Sequence, residues 1–555
     1  MIQLSRRLLG AFLAVGTVGL AACESGTGSD DDLFAPTGLA VTASSPSSVT
    51  VTFNTVPGAT EYEVQRAAGT GTGFTTVGTA QASPFTDSGL EPTATYSYRV
   101  AAVRGAEKSE YTAAQSVTLL NRPVVTISTD ITSNRRFDSD SVYVLGAFVH
   151  VANGATLTIE EGTRLEGLPN SALFILRGAK IIAIGTAEKP IVFTSNRPAT
   201  DRQPGDWGGL VIVGNGIINR ADPVLLEGTN TGGTNVAVSY SGGTNNLDDS
   251  GELRYVRVEF AGFGPAQDQE LNSFTFAAVG SGTRLSYLQS LAGLDDSFEW
   301  FGGAVDGKYL VSYESGDDHF DASEGYVGRN QFMIGFQSTI IPPRNGAGNT
   351  APDPQGIEND GCNGANCLNG FNSQPYTIPI FANFTVVGAV GTGTAIPAGG
   401  GRGMVLRRGT GGYYVNGIIA RWTVAMGIRD AATNNRITAG DLDIRGILAA
   451  ENGALFETGA DRFQMDAAAK GIETSAASAA SLFTAFPAGN TVPTLATLDW
   501  SLAAASPART GGLAAFTGAL AQKAQGSVTA TGYRGAADPN ATTKWWQGWT
   551  SYARN

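Results

Sequence analysis

Two acidic segments that also contain aromatic residues lie 22 positions apart in the chain. The first, LDDSFEWFGG, spans residues 294–303, and the second, GDDHFDASEG, spans residues 316–325. Carboxylates in such numbers can act as a paired acid and base, or they can bind a hard cation such as Ca²⁺ through several oxygens. They can also be solvated acids on the turns of a structural repeat. The residue types alone leave all three interpretations open.

The offset favours a repeat. It relates four pairs of similar residues: Asp295 and Asp317, Asp296 and Asp318, Phe298 and Phe320, and Glu299 and Asp321. If 22 residues form one coil, the members of each pair lie on adjacent strands about 4.8 Å apart. We then expect the two phenylalanines to stack in the core and the aspartates to flank a turn. Carboxylates this close repel one another unless a positive charge lies among them, and the candidates are Ca²⁺, Lys308 and Arg329.

A Ca²⁺ site stays open beside a solvated structural turn, and the sequence commits to no catalytic residue. Ca²⁺ is the only cofactor expected, with five acidic ligands: Asp295, Asp296, Asp317, Asp318 and Asp321. Weak catalytic candidates are Asp317, Asp318 and His319. Because the chain has only 2 histidines, little room is left for histidine-based catalysis.

Composition indicates a turn-rich β protein, and the charge balance argues against nucleic-acid binding. Of 555 residues, 73 are glycine, and only 15% are charged. The formal charge is −13; removing residues 1–22, which carry two arginines and no acid, gives −15. An acidic surface disfavours nucleic acid and anionic membranes and is compatible with divalent cations.

The N-terminus combines a basic start, Arg6 and Arg7, with a short apolar run that ends in LAAC at residues 20–23. This ending resembles the lipobox of bacterial lipoproteins. The resemblance implies a signal peptide at 1–22, acylation of Cys23 and a flexible tether at 23–33. We therefore expect a protein anchored by lipid (palmitate) to a bacterial membrane, at the outer membrane or the cell surface.

Residues 34–120 show short strands with alternating apolar residues, as in SVTVTF and TEYEVQRA. The segment LEPTATYSYRV, with Leu90, Pro92 and Tyr96, resembles the tyrosine corner of a fibronectin type III domain. The resemblance implies a β-sandwich that acts as a spacer and implies no ligand.

Residues 124–456 contain frequent short strands without hairpin turns, a pattern typical of a solenoid. The aromatics Tyr255, Tyr287, Tyr309 and Phe332 recur at steps of 32, 22 and 23 residues. The region resembles the right-handed parallel β-helix, or pectin lyase-like, fold. Segments such as ATLTIEEGTRLEG and GDWGGL are similar to an uncharacterised family of bacterial surface β-helix proteins.

Residues 457–555 are expected to form a partly helical insertion and C-terminal cap, because AAAKGIETSAASAASLFTAF (467–486) is alanine-rich. Trp545, Trp546 and Trp549 belong either to that cap or to a sugar-stacking platform. Cys362 and Cys367 predict a disulfide in an exported chain. Their long insertion is either a binding loop or a stapled surface loop.

The predicted function is non-enzymatic: binding or scaffolding at the cell envelope, with a glycan or an envelope protein as ligand. One alternative is a polysaccharide lyase or glycoside hydrolase of the pectin lyase-like fold. The hydrolases of that fold resemble this chain only at Gly316-Asp317-Asp318, and a lyase would need a base such as Arg257 or Arg329 beside Ca²⁺. Another alternative is an accessory lipoprotein of an outer-membrane uptake system.

Overall fold

The computed structural model describes residues 33–231, 236–266, 269–487 and 491–553. Two compact units divide between Asn121 and Arg122. The predicted signal peptide and the predicted lipid attachment site, Cys23, lie outside the described residues. Among the helices that the structure describes, none is long and apolar enough to cross a membrane.

The first unit is a sandwich of two antiparallel sheets. Its strands are β1 (Ala40–Ser45), β2 (Ser48–Thr52), β3 (Glu61–Ala68), β4 (Thr75–Ala80), β5 (Phe85–Ser88), β6 (Thr95–Arg104), β7 (Glu107–Lys108) and β8 (Gln115–Thr118). One sheet has the order β1-β2-β5, and the other has β4-β3-β6-β7 with β8 also on β6. The predicted tyrosine corner is present: the backbone N–H of Glu91 donates to the Tyr96 hydroxyl at 3.2 Å.

The second unit is a parallel β-helix with a long sheet of 17 strands and a second sheet of 10 strands. The long sheet contains β9 (Val124–Ile127), β10 (Arg135–Phe137), β11 (Val142–Leu145), β13 (Thr156–Ile159), β14 (Arg164–Gly167), β16 (Lys180–Ile184), β17 (Ile191–Ser195), β19 (Gly251–Glu259), β21 (Arg284–Leu291), β23 (Asp306–Tyr313), β25 (Arg329–Phe336), β27 (Ile380–Val387), β29 (Gly412–Val415), β30 (Ile418–Ala420), β32 (Leu442–Arg445), β33 (Leu448–Ala450) and β35 (Glu473–Ser475).

The ten-stranded sheet contains β12 (Phe148–Val151), β15 (Ala172–Ile175), β18 (Leu210–Val213), β20 (Phe274–Ala277), β22 (Phe298–Phe301), β24 (Phe320–Ser323), β26 (Ile357–Asp360), β28 (Arg402–Arg407), β31 (Val424–Arg429) and β34 (Arg462–Phe463). Only its last described pair, β31 with β34, is antiparallel.

The 22-residue coil is confirmed. Strand β22 pairs in parallel with β24 so that Glu299 lies beside Asp321. The rings of Phe298 and Phe320 stack inside the coil with centroids 5.6 Å apart. The inward residues of each strand thus build one continuous core along the solenoid, and the alternate residues face outward.

The aromatic repeat marks a corner of each coil. Tyr255, Tyr287, Tyr309 and Phe332 all have positive φ, between 51° and 64°, and each bends the long strand that contains it. Their rings stack with centroids 4.3, 4.5 and 5.2 Å apart. We call these four residues the aromatic ladder.

The C-terminal region is partly helical, as expected, although its helices contribute no buried residue to the end of the core. Within 467–486 only α2 (Ala479–Leu482) is helical, and β35 extends the sheet to Ser475. The end of the core is instead closed by Phe456, Met465 and Ile472, which lie outside any helix.

The chain after β35 returns along the outer side of the long sheet. It contains β36 (Phe483–Ala485), β37 (Asp499–Leu502) and α3 (Gly518–Ala524). Trp500 packs on Tyr313, and Trp549 packs edge-on against Tyr255. A further helix, α1 (Ala431–Ala439), follows β31 and was not expected; the Asp430 side chain caps it by accepting from the N–H of Thr433.

Candidate functional site

Three carboxylates form a row on the outer face of the ten-stranded sheet. Glu299 on β22 pairs with Asp321 on β24, which in turn pairs with Glu358 on β26. Their neighbours Trp300 and Ala322 point into the core. Because side chains alternate along a strand, the three acids project from the opposite face, one above the other.

Two further pairs of acids precede these strands and join the row. The structure brings all five predicted ligands into one cluster with Glu299 and Glu358. Carboxylate oxygens lie within 4.8 Å of one another in three groups: Asp295, Asp296 and Asp317; Asp296, Glu299 and Asp321; and Asp318, Asp321 and Glu358. We call these seven residues the carboxylate groove.

Two members of the groove also hold the coils together. The Oδ1 atom of Asp296 accepts from the backbone N–H of Asp318 at 2.9 Å. The Oδ1 atom of Asp318 accepts in the same way from the N–H of Gln355 at 2.5 Å. The Gln355 Oε1 atom continues the series by accepting from the N–H of Arg402 at 2.8 Å. Each coil is therefore tied to the next through the side chain at this position.

The groove is not the solvated turn that the sequence allowed. Asp296 and Asp318 are only 5% and 3% exposed, and Asp295, Asp317 and Asp321 are half-buried. The 22-residue offset had suggested acids on a solvated turn, but another segment of the chain lies against them, since the Gln355 N–H donates to Asp318. The carboxylates of the groove are therefore destabilised in two ways: burial removes water from them, and their charges repel one another.

Burial and mutual repulsion both act on these carboxyls. Burial, followed by the charge of Asp317, raises the pKa of Asp295 well above its ordinary value. Burial and then Asp318 raise the pKa of Asp296 in the same way. Burial and the charge of Asp353 raise the pKa of Asp317 to about 7. The groove thus resists carrying its full negative charge without a counter-ion.

The positive charge at the groove comes from residues that the sequence did not single out. Arg407 forms an ion pair with Glu358 and lies 2.9 Å from an Asp360 oxygen. Arg408 pairs with the other oxygen of Asp360. Burial alone would lower the pKa of Arg407, but Asp360 and Glu358 raise it.

The cationic side chains that the sequence suggested for the acidic cluster do not lie at the carboxylate groove. Arg329 pairs with Asp306 at 2.6 Å. Lys308 donates to the Ser527 carbonyl at 3.4 Å. Arg257, the other notional base, pairs with Glu259 at 3.0 Å. All three lie on strands of the long sheet, whereas the groove lies on the ten-stranded sheet, so none of them neutralises it.

Several groove oxygens have no hydrogen-bond partner in the part of the chain that the structure describes: Asp317 Oδ1, Asp321 Oδ1 and Glu358 Oε2. The Glu358 side chain is only 6% exposed. An orphaned anionic oxygen in such a position is costly unless a ligand satisfies it.

His319 is separated from the carboxylates that flank it in sequence. The imidazole is fully buried, its Nδ1 bonds with the Ser312 hydroxyl, and its ring meets that of Trp422 edge-on. Burial lowers the pKa of His319 to about 3. The structure therefore places this weak catalytic candidate in the core, away from the carboxylate groove.

A cavity of about 550 Å³ opens beside the groove, and its lining includes Arg220, Glu227, Tyr240 and Phe301. Glu227 links the two spaces, since its charge acts on the carboxyls of Asp295 and Glu299. Leu225 and Leu226 add apolar surface to the cavity wall.

The predicted disulfide between Cys362 and Cys367 is confirmed. Its loop is clamped to the cavity wall: the N–H of Ala221 donates to the Asn366 carbonyl at 2.9 Å, and the Asn366 amide donates to Pro223 at 2.9 Å. Arg220 also donates to Ala365 at 3.1 Å. The insertion therefore supports the wall of a cavity rather than standing alone on the surface.

Comparison with known families agrees with this architecture. A model described as a pectate-lyase-like β-helix domain matches residues 129–500. The chain belongs to the pectate-lyase-like β-helix family. A fibronectin type III model matches residues 34–117, which confirms the predicted order of the two domains.

Individual relatives match only parts of the chain. A poly(3-hydroxybutyrate) depolymerase from Ralstonia pickettii is 43% identical over 96 residues, which make up 17% of this chain and 18% of the relative. A fibronectin-type-III-like protein from Clostridium thermocellum is 31% identical over 15% of this chain and 90% of its own, with a TM-score of 0.15. Domains A168–A170 of titin are 25% identical over 16% of this chain and 33% of theirs, with a TM-score of 0.16.

The donor set of this β-helix suits a hard cation. All seven side chains of the carboxylate groove offer oxygen, and the histidine nearest in sequence lies in the core. Ca²⁺ takes six to eight oxygen ligands in flexible geometry, whereas Zn²⁺ and Cu²⁺ prefer imidazole or thiolate. Aspartates that also accept backbone hydrogen bonds keep a second oxygen for such an ion.

Proposed function

We propose that this protein is an exported binding protein whose β-helix holds Ca²⁺ in the carboxylate groove and uses it to bind a glycan. The observation that carries the proposal is the orphaned Oε2 atom of Glu358, which lies in a buried side chain within a group of three carboxylates. An ion at this point would supply the missing partner.

Charge balance supports a cation. Arg407 and Arg408 pair with Glu358 and Asp360 at one end of the groove. At the other end, Asp295 repels Asp317, and Glu227 adds to that repulsion. Arg407 also acts on Asp317, but the charges that act most strongly on Asp295 are all acidic, so a divalent ion in the groove would reduce the repulsion.

The neighbouring cavity supports a glycan as the ligand. A polyol can complete the coordination of Ca²⁺ through its hydroxyls, while its apolar ring face packs on an aromatic side chain such as Phe301. Arg220 and Tyr240 add donors on the same wall. The cavity is large enough for more than one sugar ring, within the range of roughly 300–1,000 Å³ usual for ligand sites.

A non-enzymatic role is supported by the positions of His319 and of the arginines that could act as a base. His319 lies in the core, and the arginines nearest the groove are engaged in ion pairs. A lyase needs an available base beside the cation, and Arg257 and Arg329 are paired on the other sheet.

One observation favours a glycoside hydrolase as a second candidate. Asp317, with a pKa raised to about 7, could be the protonated acid of a pair. Its carboxylate neighbours lie within 4.8 Å, closer to the spacing of retaining enzymes than to that of inverting ones. Here Ca²⁺ would act as an inhibitor, because it would stabilise the ionised form of that acid.

Titration calorimetry with Ca²⁺, followed by a glycan array with Ca²⁺ or chelator, separates these functions. The proposal predicts Ca²⁺ binding that Glu358→Gln weakens, and at least one glycan whose retention depends on Ca²⁺. The exposed acid Glu188, changed to Gln, is the matched control. Release of reducing ends that is fastest in chelator would instead identify the hydrolase.

Lipid anchoring at Cys23 remains part of the proposal, based on the LAAC motif at residues 20–23. Expression in a bacterial host with radiolabelled palmitate would test it. We expect label in the wild-type protein and a soluble, unlabelled Cys23→Ala variant. Membrane retention of that variant would refute acylation as the anchor.

A further inference from the structure

A second cavity, of about 250 Å³, lies between the aromatic ladder and the C-terminal segment that returns along the long sheet. It is remote in topology from the carboxylate groove, which lies on the ten-stranded sheet. Six of its lining residues are aromatic: Tyr287, Tyr309, Phe332, Tyr533, Trp545 and Trp546.

The solenoid side of this cavity is a stack of rings with hydroxyls along one edge. The Tyr287 and Tyr309 rings are 4.5 Å apart and nearly parallel. Trp545 leans over Tyr309 with centroids 5.2 Å apart and a tilt of 51°. The cavity therefore offers apolar ring surface and phenolic hydroxyls side by side, which is a combination that suits amphipathic ligands.

The indole groups supply a second observation. Trp545 donates its N–H to the Ala536 carbonyl at 2.9 Å, and Trp549 donates to the Trp545 carbonyl at 2.7 Å. Trp546, which lines the cavity and is only 4% exposed, has an N–H without an acceptor among the described residues. Buried indole N–H groups normally find a partner, and a ligand that enters this cavity would meet the Trp546 ring.

The charged side chains that line this cavity disfavour anions, although Lys308 lies 5.6 Å from the Phe332 ring outside the lining. Lys544 is neutralised by Asp499, which lies 2.6 Å from its Nζ atom. Asp538 is exposed at the rim, and its Oδ1 atom accepts from the N–H of Asn540 at 2.8 Å. Ser501 and Thr543 add uncharged hydroxyls to the lining.

We infer that this cavity binds one neutral sugar ring, as a site separate from the carboxylate groove. The ring's C–H face would pack on the aromatic lining, a sugar oxygen would accept from the Trp546 indole N–H, and a sugar hydroxyl would donate to Asp538. The volume lies below the roughly 300 Å³ at which pockets for drug-sized ligands begin, so it suits a monosaccharide unit.

Saturation-transfer NMR with the methyl glycosides of glucose, galactose, mannose and N-acetylglucosamine tests the inference on the mature protein in chelator. Glucuronic acid serves as the anionic comparison. We expect at least one neutral glycoside to bind and glucuronic acid not to bind. Absence of binding by all four neutral probes at millimolar concentration would overturn the inference.

Variants locate the site. Asp538→Ala changes only an exposed rim residue, and Trp546→Phe removes the indole donor while keeping an aromatic body. Each should weaken sugar binding by about tenfold, the upper range for one hydrogen bond. Glu110→Gln, which changes an exposed acid outside both sites, should leave it unchanged. Equal affinities for the wild type and Asp538→Ala would overturn the assignment even if Trp546→Phe failed to fold.

Discussion

The Oδ1 atom of Asp296 accepts the backbone N–H of Asp318 at 2.9 Å, and 22 residues separate the two aspartates. The same contact recurs from Asp318 to Gln355. Gln355 makes the equivalent contact on the next coil by accepting from the N–H of Arg402. The contact therefore needs an acceptor oxygen but no charge. The outward acids Glu299, Asp321 and Glu358 have no such backbone role in the described contacts, which makes them better candidates for a ligand.

Asp318→Ala and Asp318→Asn should therefore differ in stability. Both variants remove a charge from a repulsive cluster, but only asparagine keeps an acceptor for the Gln355 N–H. We expect the alanine variant to be less stable than the asparagine variant by about 1–3 kcal/mol, the cost of a buried unsatisfied donor. Urea unfolding in chelator measures the difference, and identical midpoints would show that the contact contributes nothing.

Stability without cation should fall as pH rises. The pKa of Asp317 is raised in the folded state to about 7 from an ordinary value of 3.8, so the folded protein binds the extra proton. This contribution is fully present below pH 3.8 and is lost as pH rises towards 7. Added Ca²⁺ should consequently raise the thermal midpoint more at pH 8 than at pH 5. Differential scanning fluorimetry checks this, and an equal shift at both values would argue against a site made of these acids.

The coil geometry was predictable because it depends on local repetition. Phe298 and Phe320 share a 22-residue offset, and so do the acids beside them. Arg407 was not predictable, because it pairs with Asp360 across an interval of 47 residues that contains the disulfide loop. The burial of the groove depends on other segments of the chain, whose path the sequence pattern does not specify. Asp318 and His319 are neighbours in sequence, but their side chains point to opposite faces of the coil. Asp318 belongs to the groove and His319 to the core, which the sequence pattern did not reveal.

Arg407→Gln should be strongly destabilising in the absence of cation. Arg407 is a buried counter-charge for Glu358 and Asp360, and removing one partner of a buried ion pair costs about 3–5 kcal/mol. Saturating Ca²⁺ should restore part of that loss, since it supplies positive charge to the same acids. Arg284→Gln is the matched control, because Arg284 pairs with Glu252 on the surface and its side chain is 72% exposed. Equal losses in the two variants would contradict a special role for Arg407.

His319 should stay neutral throughout the physiological range. Burial lowers its pKa to about 3, and its Nδ1 bonds with the Ser312 hydroxyl. The C2 proton resonance of its imidazole should therefore not move between pH 5 and pH 8. A His150→Gln variant leaves His319 as the only histidine and makes the assignment unambiguous. A titration midpoint near the ordinary pKa of 6.5 would instead show that the His319 ring contacts water, and a catalytic role would again be open.

Loss of the disulfide should weaken ligand binding in the cavity beside the groove more than it weakens the fold. A double Cys362→Ser and Cys367→Ser change opens a short loop, for which the chain-entropy estimate is about 2 kcal/mol. The same loop holds the cavity wall through Asn366, which bonds with Ala221 and Pro223. We expect normal Ca²⁺ affinity but reduced affinity for the glycan found on the array. Unchanged glycan affinity with a lowered unfolding midpoint would mean that the disulfide stabilises the loop without shaping the cavity.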